Sequence, residues 1–224
     1  MLSVAAEICE DLWAPDPPSN GHALAGADLI VNLSASDETT GKDIYRRELV
    51  KGQSARLLCG YVYCSAGEGE STQDIVFSGH NVIAENGTVL AEAARFTNEI
   101  TYSEIDAARM IGERRRMTTF ETRGQEGYRY QEFSLELHET VLTRYIDPAP
   151  FVPGNVSDRE KRCEEILAIQ SMGLKKRLAH TGCQHAVVGI SGGLDSTLAL
   201  LVTVRAFDAL GLPRAQITAV TMPG

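Results

Sequence analysis

The chain has 224 residues, of which 43% are hydrophobic and 23% charged, the proportions of an ordinary globular protein of one or two domains. Its 21 basic and 30 acidic residues give a net charge of −9, which repels nucleic acid, so local groups must hold any phosphate ligand. No signal-peptide pattern or apolar run of roughly 20 residues is present, so we expect neither a nucleic-acid nor a membrane partner.

The first part of the chain alternates apolar runs with one helical pattern. Residues 2–8 and 28–33 are short apolar runs typical of buried strands. Residues 42–58 place apolar side chains at helical spacing among charges, which predicts a helix, and residues 60–65 predict a third strand. A strand–strand–helix–strand order results.

A hairpin signal follows this segment. Residues 74–84 and 88–93 are strand patterns that flank Asn86-Gly87, a dipeptide that strongly favours a tight turn between antiparallel strands. Residues 99–105 predict one more strand. Mixed strands and helices of this kind indicate an α/β protein built from layers of sheet and helix.

The middle of the chain has the composition of a linker. Residues 106–133 are polar and basic and include the run Arg114-Arg-Arg116, and residues 147–154 contain three prolines and a glycine. We therefore predict a linker over residues 111–156. We interpret the arginine run as a solvated face, with a phosphate or partner contact as the alternative.

The last part of the chain predicts a long helix followed by a βαβ unit. The helix begins at a capping box, Ser157-Asp-Arg-Glu160, and ends at Gly182. The later elements are a strand at 186–190, a loop at 191–196, a helix at 197–210 and a strand at 217–221. Because one crossover helix cannot cover both faces of a parallel sheet, we expect this unit to be part of a larger domain.

The loop of this βαβ unit reads Ser191-Gly-Gly-Leu-Asp-Ser196. Two glycines let the backbone approach a ligand closely, and the amides at a helix N-terminus attract phosphate oxygens. The loop lacks the lysine of the P-loop pattern, so kinase or GTPase chemistry is not indicated. A glycine turn with an Asp-Ser helix cap is the alternative interpretation.

The loop resembles the PP-loop of ATP pyrophosphatases, which cleave ATP between its first and second phosphates. The resemblance implies that the pyrophosphate site is lined by Ser191, Gly192, Gly193, Asp195 and Ser196. It also implies that Asp195 acts near Mg²⁺, which prefers hard oxygen ligands, and that Thr197 adds a donor. Thr221 and Met222, at the end of the next strand, would then border the adenine.

Cys9 lies at the end of the first predicted strand. A sulfur at such a turn can face backbone amides that form an oxyanion hole, although an isolated cysteine is more commonly an inert core residue. Cys9-Glu-Asp-Leu-Trp13 resembles the nucleophile segment of nitrilase-type glutaminase domains, as does Asn32-Leu-Ser-Ala-Ser36 on the next strand. Residues 61–71 and 77–87 extend this similarity.

Together the two halves resemble the glutamine-dependent NAD synthetases. The resemblance implies a fold in which the C-terminal part of a nitrilase-like α-β-β-α sandwich precedes the first βαβ unit of a Rossmann-like PP-loop domain. The expected boundaries are a glutaminase part over 1–110, the linker over 111–156 and an ATP-binding part over 157–224. The implied partners are glutamine, nicotinic acid adenine dinucleotide and ATP as a substrate with Mg²⁺, in a homo-oligomer.

The resemblance also assigns individual roles in the glutaminase part. Cys9 attacks the side-chain amide of glutamine and releases ammonia, which amidates the adenylated dinucleotide to give NAD, AMP and pyrophosphate. Ser36 and Lys42 would contact the amino-acid end of glutamine, with Lys42 where an arginine is expected. The family's catalytic glutamate and lysine lie far upstream of the cysteine, and only eight residues precede Cys9, so we expect an inactive internal fragment.

Nearby acids do not replace the missing partners in this interpretation. Glu7 is expected to alternate away along the strand, and Glu10 matches a neighbour of the nucleophile rather than the base. Two other functions stay open. One is a non-catalytic binding or assembly module derived from such an enzyme, and the other is a different PP-loop amidotransferase such as GMP or asparagine synthetase.

The remaining cysteines and the histidines give no metal pattern. The five cysteines are an odd number at gaps that fit neither a disulfide framework nor a zinc site, so we expect reduced thiols in the cytoplasm. Cys59 and Cys64 are both predicted to lie in the core. The five histidines share no ligand spacing and are interpreted as surface or internally satisfied side chains.

Overall fold

The chain folds into two compact units, Met1–Tyr145 and Ile146–Gly224. The computed structural model describes residues 2–72, 74–122, 126–136, 138–139 and 141–221. Within this part of the chain, no helix combines the length and the apolar character that a membrane span requires. The two units meet in sequence inside the predicted linker, whose exact limits at residues 111 and 156 stay predictions.

The first unit is built on one five-stranded sheet. Its strands, in chain order and in spatial order, are β1 (Val4–Ile8), β2 (Leu29–Ser34), β3 (Gly60–Ser65), β4 (Val82–Glu85) and β5 (Thr88–Glu92). The first three strands pair in parallel, and the last two add antiparallel pairs. The predicted hairpin is confirmed, with both Asn86 and Gly87 at positive φ as such a turn requires.

Two strand predictions were wrong: one strand is shorter than predicted, and the other does not form. Residues 74–81 lie before the start of β4 and do not extend it. Residues 99–105 form no strand, because Ile100 and Tyr102 lie 75% and 79% exposed and therefore lack a buried face that would make pairing favourable.

Three α-helices accompany the sheet in the described part of the first unit. They are α1 (Pro18–Leu24), α2 (Lys42–Leu57) and α3 (Ala107–Arg116). Parallel strands need crossover connections, and α1 and α2 supply them between β1, β2 and β3. Helices α1 and α3 were not predicted, and α3 extends into the predicted linker, although Asp106 is an N-cap residue whose side chain accepts a hydrogen bond from the Arg109 amide at 2.9 Å.

The two faces of the sheet differ in burial. One face carries the buried core, including Ile30, Tyr61 and Tyr63, against the Val50 and Leu57 side of α2. The other face is open at Ile8, Leu33 and Cys64, three paired positions. The prediction that Cys64 is a core residue was therefore wrong, whereas Cys59 is fully buried. The described residues of the first unit form this one sheet with α2 packed on its covered face, which is one α-β half of the expected sandwich.

A buried ion network ties α2 to the segments beside β4 and β5. Nη1 of Arg46, a fully buried side chain, lies 3.0 Å from Oε2 of Glu38 and 3.0 Å from Nδ1 of His80. Nε2 of His80 lies 2.8 Å from Oε1 of Glu92. Because a guanidinium only donates, Nδ1 of His80 must accept, and its proton sits on Nε2 toward Glu92. Burial alone raises the pKa of Glu92, but hydrogen bonds from Arg47 and His80 outweigh it and lower that pKa.

The arginine run is not uniformly solvated, contrary to the prediction. Nε of Arg114 donates to the Leu57 carbonyl at 3.1 Å, and Nη2 donates to the Ala27 carbonyl at 2.8 Å. These carbonyls lie just before β2 and β3, so Arg114 closes the amino ends of two strands. Arg116 is exposed and pairs with Glu113 within α3.

The segment after α3 is also anchored to the first unit. Both terminal nitrogens of Arg144 donate to Glu85, at 2.9 and 3.0 Å. The Glu85 side chain is 2% exposed, and its carboxylate also accepts from the Asp106 amide at 2.6 Å. The bidentate pair therefore neutralises a charge that would otherwise be buried alone.

The second unit is a βαβ motif with one additional long helix, as predicted. Its elements are α4 (Val156–Thr181), β6 (Ala186–Gly189), α5 (Leu194–Leu210) and β7 (Ile217–Val220), and its two strands pair in parallel. The cap of α4 is Asn155, which accepts from the Asp158 amide at 2.7 Å, and not the predicted Ser157. Leu178, Ala206 and Phe207 form the core, while Val187 on the opposite face of the sheet is 73% exposed.

We expect Arg144→Gln to lower the free energy of unfolding of the first unit by about 2 kcal/mol, because it leaves the Glu85 carboxylate buried with one backbone donor. Urea denaturation followed by the fluorescence of Trp13, the one tryptophan, measures this unit. Arg116→Gln is the control, since it removes an exposed pair and should change little. Equal stabilities for the two variants would contradict the assignment.

We also expect Cys59 to resist alkylation in the native protein. Burial raises the pKa of its thiol to about 12, so almost no thiolate forms at pH 8. Iodoacetamide labelling followed by peptide mass spectrometry should modify the exposed Cys183 and leave Cys59 unmodified. Labelling in guanidinium should modify both, whereas native labelling of Cys59 at the rate of Cys183 would show that the core is open.

Candidate functional site

Cys9 sits at a sharp turn at the carboxyl end of β1. It is half-buried and begins a short 3₁₀ helix, Cys9–Trp13, directly after the strand. Its φ of +50° lies in the left-handed region, which is costly for a residue with a side chain. The turn is supported by a hydrogen bond of 2.7 Å from the Ile8 amide to Oδ2 of Asp11. The strand-end position predicted for Cys9 is therefore present.

Asn32, in the middle of β2, holds the backbone of Cys9. Oδ1 of Asn32 accepts from the Cys9 amide at 3.1 Å, and Nδ2 donates to the Cys9 carbonyl at 3.3 Å. The Asn32 side chain is fully buried. No role was predicted for Asn32, although an asparagine inside an apolar strand is itself a signal, because a buried amide needs hydrogen-bond partners.

Glu7 lies behind this contact, and both of its carboxylate oxygens accept hydrogen bonds from other residues. Its Oε2 accepts from the Ser19 amide at 2.8 Å, and its Oε1 accepts from the hydroxyl of Tyr61. Glu7 is 2% exposed, inside the covered face of the sheet. Burial, followed by the hydrogen bond to Glu7, raises the pKa of Tyr61 far above its usual value, so the phenol keeps its proton.

Ser36 and Lys42 lie near the same edge of the sheet as Cys9. Ser36 follows the carboxyl end of β2 and is buried, and Ile8 pairs with Leu33 across the two strands. Nζ of Lys42 lies 5.6 Å above the ring of Trp13, which ends the helix that Cys9 begins. Nζ also pairs with Oδ1 of Asp37 at 2.7 Å. Parallel pairing thus brings these predicted side chains to one region.

The second candidate site is the loop between β6 and α5, in the second unit. Gly192 has a φ of +84°, which only glycine adopts without strain. The hydroxyls of Ser191 and Ser196 lie 3.3 Å apart, and Oγ of Ser196 donates to the Gly193 carbonyl at 3.0 Å. Helix α5 begins at Leu194 and not at the predicted Thr197, so its first-turn amides open at the loop.

Three of the other residues predicted to contact ATP lie beside this loop. Asp195 is exposed in the first turn of α5, and Oγ1 of Thr197 donates to the Gly193 carbonyl at 2.9 Å. Thr221 follows β7, and the Val220 carbonyl accepts from the Ile190 amide at 2.8 Å, so Thr221 lies at the strand end next to Ser191. Met222 lies outside the described residues.

Asp195 is the residue predicted to ligate Mg²⁺ at this loop. Among the described residues, no group of three or more histidine, cysteine, aspartate or glutamate side chains is arranged to hold a metal ion. Asp195 therefore contributes one carboxylate beside the loop and belongs to no cluster of this kind among the described residues.

Two family models match the chain in succession. The model for carbon–nitrogen hydrolase matches residues 1–115, which include Cys9, Ser36 and Lys42. The model for NAD synthase matches residues 166–224, which include the loop at Ser191–Ser196.

Curated relatives match almost the whole chain. A glutamine-dependent NAD(+) synthetase of Mycobacterium leprae is 42% identical over 100% of this chain and 34% of its own length. That of Mycobacterium tuberculosis strain H37Rv is 42% identical over 97% of this chain and 34% of its own length. The chain therefore spans about a third of the length of these relatives.

A solved structure also aligns with most of the chain. It is a glutamine-dependent NAD⁺ synthetase from Acinetobacter baumannii in complex with ADP, with 20% identity and a TM-score of 0.42. The alignment covers 98% of this chain and 33% of that one.

The Lys42–Asp37 pair gives a pH-dependent prediction. The hydrogen bond from Lys42, followed by its charge, lowers the pKa of Asp37. Because the folded pKa lies below the unfolded one, the pair's stabilisation is present above about pH 3.9 and is lost as the pH falls through the folded pKa. We expect Lys42→Met to raise the Asp37 pKa toward about 3.9 in an NMR titration of its carboxyl carbon.

Lys51→Met is the control for this titration. Lys51 pairs with Glu48 at 3.6 Å elsewhere on α2, so its removal should leave the titration of Asp37 unchanged. An Asp37 pKa that stays low in Lys42→Met would show that another group depresses it.

Proposed function

We propose a function for this chain on the basis of its family, because it belongs to the carbon–nitrogen hydrolase family. We infer that it carries parts of two reaction centres of a glutamine-dependent NAD synthetase. The observation that supports this most directly is the succession of a carbon–nitrogen hydrolase match and an NAD synthase match in one chain. Mycobacterial glutamine-dependent NAD(+) synthetases share 42% identity with the chain.

In the proposed first reaction, Sγ of Cys9 attacks the side-chain amide carbon of glutamine. The amide C–N bond breaks, ammonia leaves, and water then hydrolyses the thioester to glutamate. The left-handed turn supports this role because it places the thiol beyond the end of β1, where a substrate can reach it. Ser36 would contact the amino-acid end of glutamine, and Lys42 would share its charge between Asp37 and the substrate carboxylate.

In the described part of the chain, the side-chain partner of Cys9 is Asn32, which bonds its backbone, and no hydrogen bond joins the thiol to a base. The oxygens of Glu7 are already used by the Ser19 amide and the Tyr61 hydroxyl. A thiol without a neighbouring base or cation is a poor nucleophile. We therefore expect the 224-residue chain by itself to release no ammonia from glutamine and to form no NAD.

In the proposed second reaction, the carboxylate of nicotinic acid adenine dinucleotide attacks the α-phosphorus of ATP. Pyrophosphate leaves, ammonia then attacks the acyl adenylate, and NAD and AMP are the products. Free amides at the start of α5 and the hydroxyls of Ser191 and Ser196 would hold the pyrophosphate oxygens. Mg²⁺ would neutralise phosphate charge, with Asp195 as one protein ligand, because carboxylate oxygen suits this ion and the phosphates supply others.

The cellular setting is part of the same proposal. All five cysteines are free, which favours a reducing compartment, and we propose the cytoplasm. Thr221 would lie beside the adenine, since it follows the strand next to the loop. We also propose a homo-oligomer for the complete enzyme. A binding or assembly role is the alternative, favoured by the open apolar sheet face around Leu33.

A chimaera tests the proposed function. The segment of the Mycobacterium tuberculosis relative that aligns with this chain is replaced by these 224 residues, and NAD formation is measured with glutamine or with ammonium as nitrogen source. We expect Cys9→Ala to lower the glutamine-dependent rate by at least about 1,000-fold and to leave the ammonium-dependent rate unchanged. Asp195→Ala should lower both rates, because ATP activation is common to them.

Cys183→Ala is the matched control, because it removes an exposed thiol outside both candidate sites. It should leave both rates unchanged. A chimaera that uses glutamine equally well after Cys9→Ala would refute the role of Cys9. A folded chimaera that forms NAD from neither nitrogen source would favour the binding role over catalysis.

A further inference from the structure

The left-handed turn at Cys9 needs a structural cause, because the residue has a side chain and pays for its φ of +50°. Neither neighbour in the chain is a glycine that could absorb the strain. The cause must therefore be a contact that compensates for this cost.

Asn32 makes that contact at two points. Its amide oxygen bonds the N–H of Cys9 at 3.1 Å, and its amide nitrogen bonds the C=O of the same residue at 3.3 Å. These two groups lie on opposite sides of the two rotatable backbone bonds of Cys9. One rigid, planar amide thus restricts both φ and ψ of the residue that presents the thiol.

The orientation of the Asn32 amide is itself determined by a buried chain of hydrogen bonds. Tyr61 donates its hydroxyl proton to Glu7, so the phenol oxygen accepts from Nδ2 of Asn32 at 3.3 Å. Nδ2 must therefore face Tyr61, and Oδ1 must face the Cys9 amide. All three of these side chains are at most 2% exposed, so water does not compete for the bonds.

We propose that Asn32 is the positioning residue that holds Cys9 in its left-handed conformation, and that Tyr61 and Glu7 orient the Asn32 amide. The backbone restraint stands on the geometry alone. Its relevance to an attacking thiol rests on the proposed function, so the experiment measures the two separately.

The first measurement compares glycine with alanine at position 9. Both variants lack the thiol, but only alanine is strained at positive φ. We therefore expect the equilibrium constant for folding to be about fivefold larger for Cys9→Gly than for Cys9→Ala. In an Asn32→Ala background the turn can relax to negative φ, and alanine should become equal or favoured. Urea denaturation followed by Trp13 fluorescence gives the constants.

Ser34→Ala is the matched background, because Ser34 is a buried neighbour on the same strand and bonds Tyr63 at 2.6 Å and not Cys9. The glycine advantage should persist there. A glycine advantage of the same size in the Asn32→Ala background would overturn the proposal.

A milder pair covers the case in which Asn32→Ala fails to fold. Tyr61→Phe removes the group that orients the Asn32 amide, and Tyr63→Phe removes an equally buried hydroxyl two positions along β3. We expect the glycine advantage at position 9 to fall at least twofold in Tyr61→Phe and to stay constant in Tyr63→Phe. Equal behaviour of the two tyrosine variants would overturn the orienting role of Tyr61.

The second measurement uses the chimaera with Cys9 intact. Asn32→Ala should lower glutamine-dependent NAD formation at least tenfold, chiefly in kcat, and leave the ammonium-dependent rate unchanged. Ser34→Ala should leave the ratio of the two rates as it is. If Asn32→Ala removes the glycine advantage at position 9 but leaves the ratio of glutamine-dependent to ammonium-dependent rates unchanged, the backbone restraint stands and its role in positioning the nucleophile is refuted. A chimaera that is inactive with glutamine before any substitution refutes only the proposed function.

Discussion

Parallel pairing of β1, β2 and β3 is the constraint on which the first unit depends. Strands that run in one direction end at one edge of the sheet, and they need helical crossovers to return the chain. The crossovers α1 and α2 therefore bury one face, and Cys9 and Ser36 emerge at the same edge. The second unit repeats the rule on a smaller scale, where β6 and β7 bring Ser191 and Thr221 to one edge.

Buried polar groups make this layered arrangement specific. Three charged side chains are nearly or fully excluded from solvent, and each forms hydrogen bonds with residues from other segments of the chain. They are Glu7, Arg46 and Glu85. An unpaired charge at any of these positions would cost several kcal/mol. The consequence is a core in which the charged pairs select one register of helices and loops, and in which the thiol-bearing turn is held by an amide rather than by apolar packing.

Local patterns predicted most elements and failed where long-range partners decide. The Asn86-Gly87 turn and the helix stop at Gly182 follow from backbone preferences, and both were predicted. Arg114 was interpreted as solvated because its run of charges is locally polar, yet its partners are carbonyls 57 and 87 residues away. Cys64 was assigned to the core from its strand pattern, but the pattern does not tell which face of the sheet is covered.

The sequence by itself determined most of the strands, the helices α2, α4 and α5, the cysteine at the end of β1 and the glycine loop before α5, because each depends on residues close together in the chain. Only the tertiary structure decided how Cys9 is held. The Asn32 amide, 23 residues away, reaches it through strand pairing, and Tyr61, 29 residues beyond Asn32, orients that amide. Hydrogen bonds of this kind depend on the register of the strands and on the face of the sheet to which each side chain points. A linear pattern of residue types contains neither.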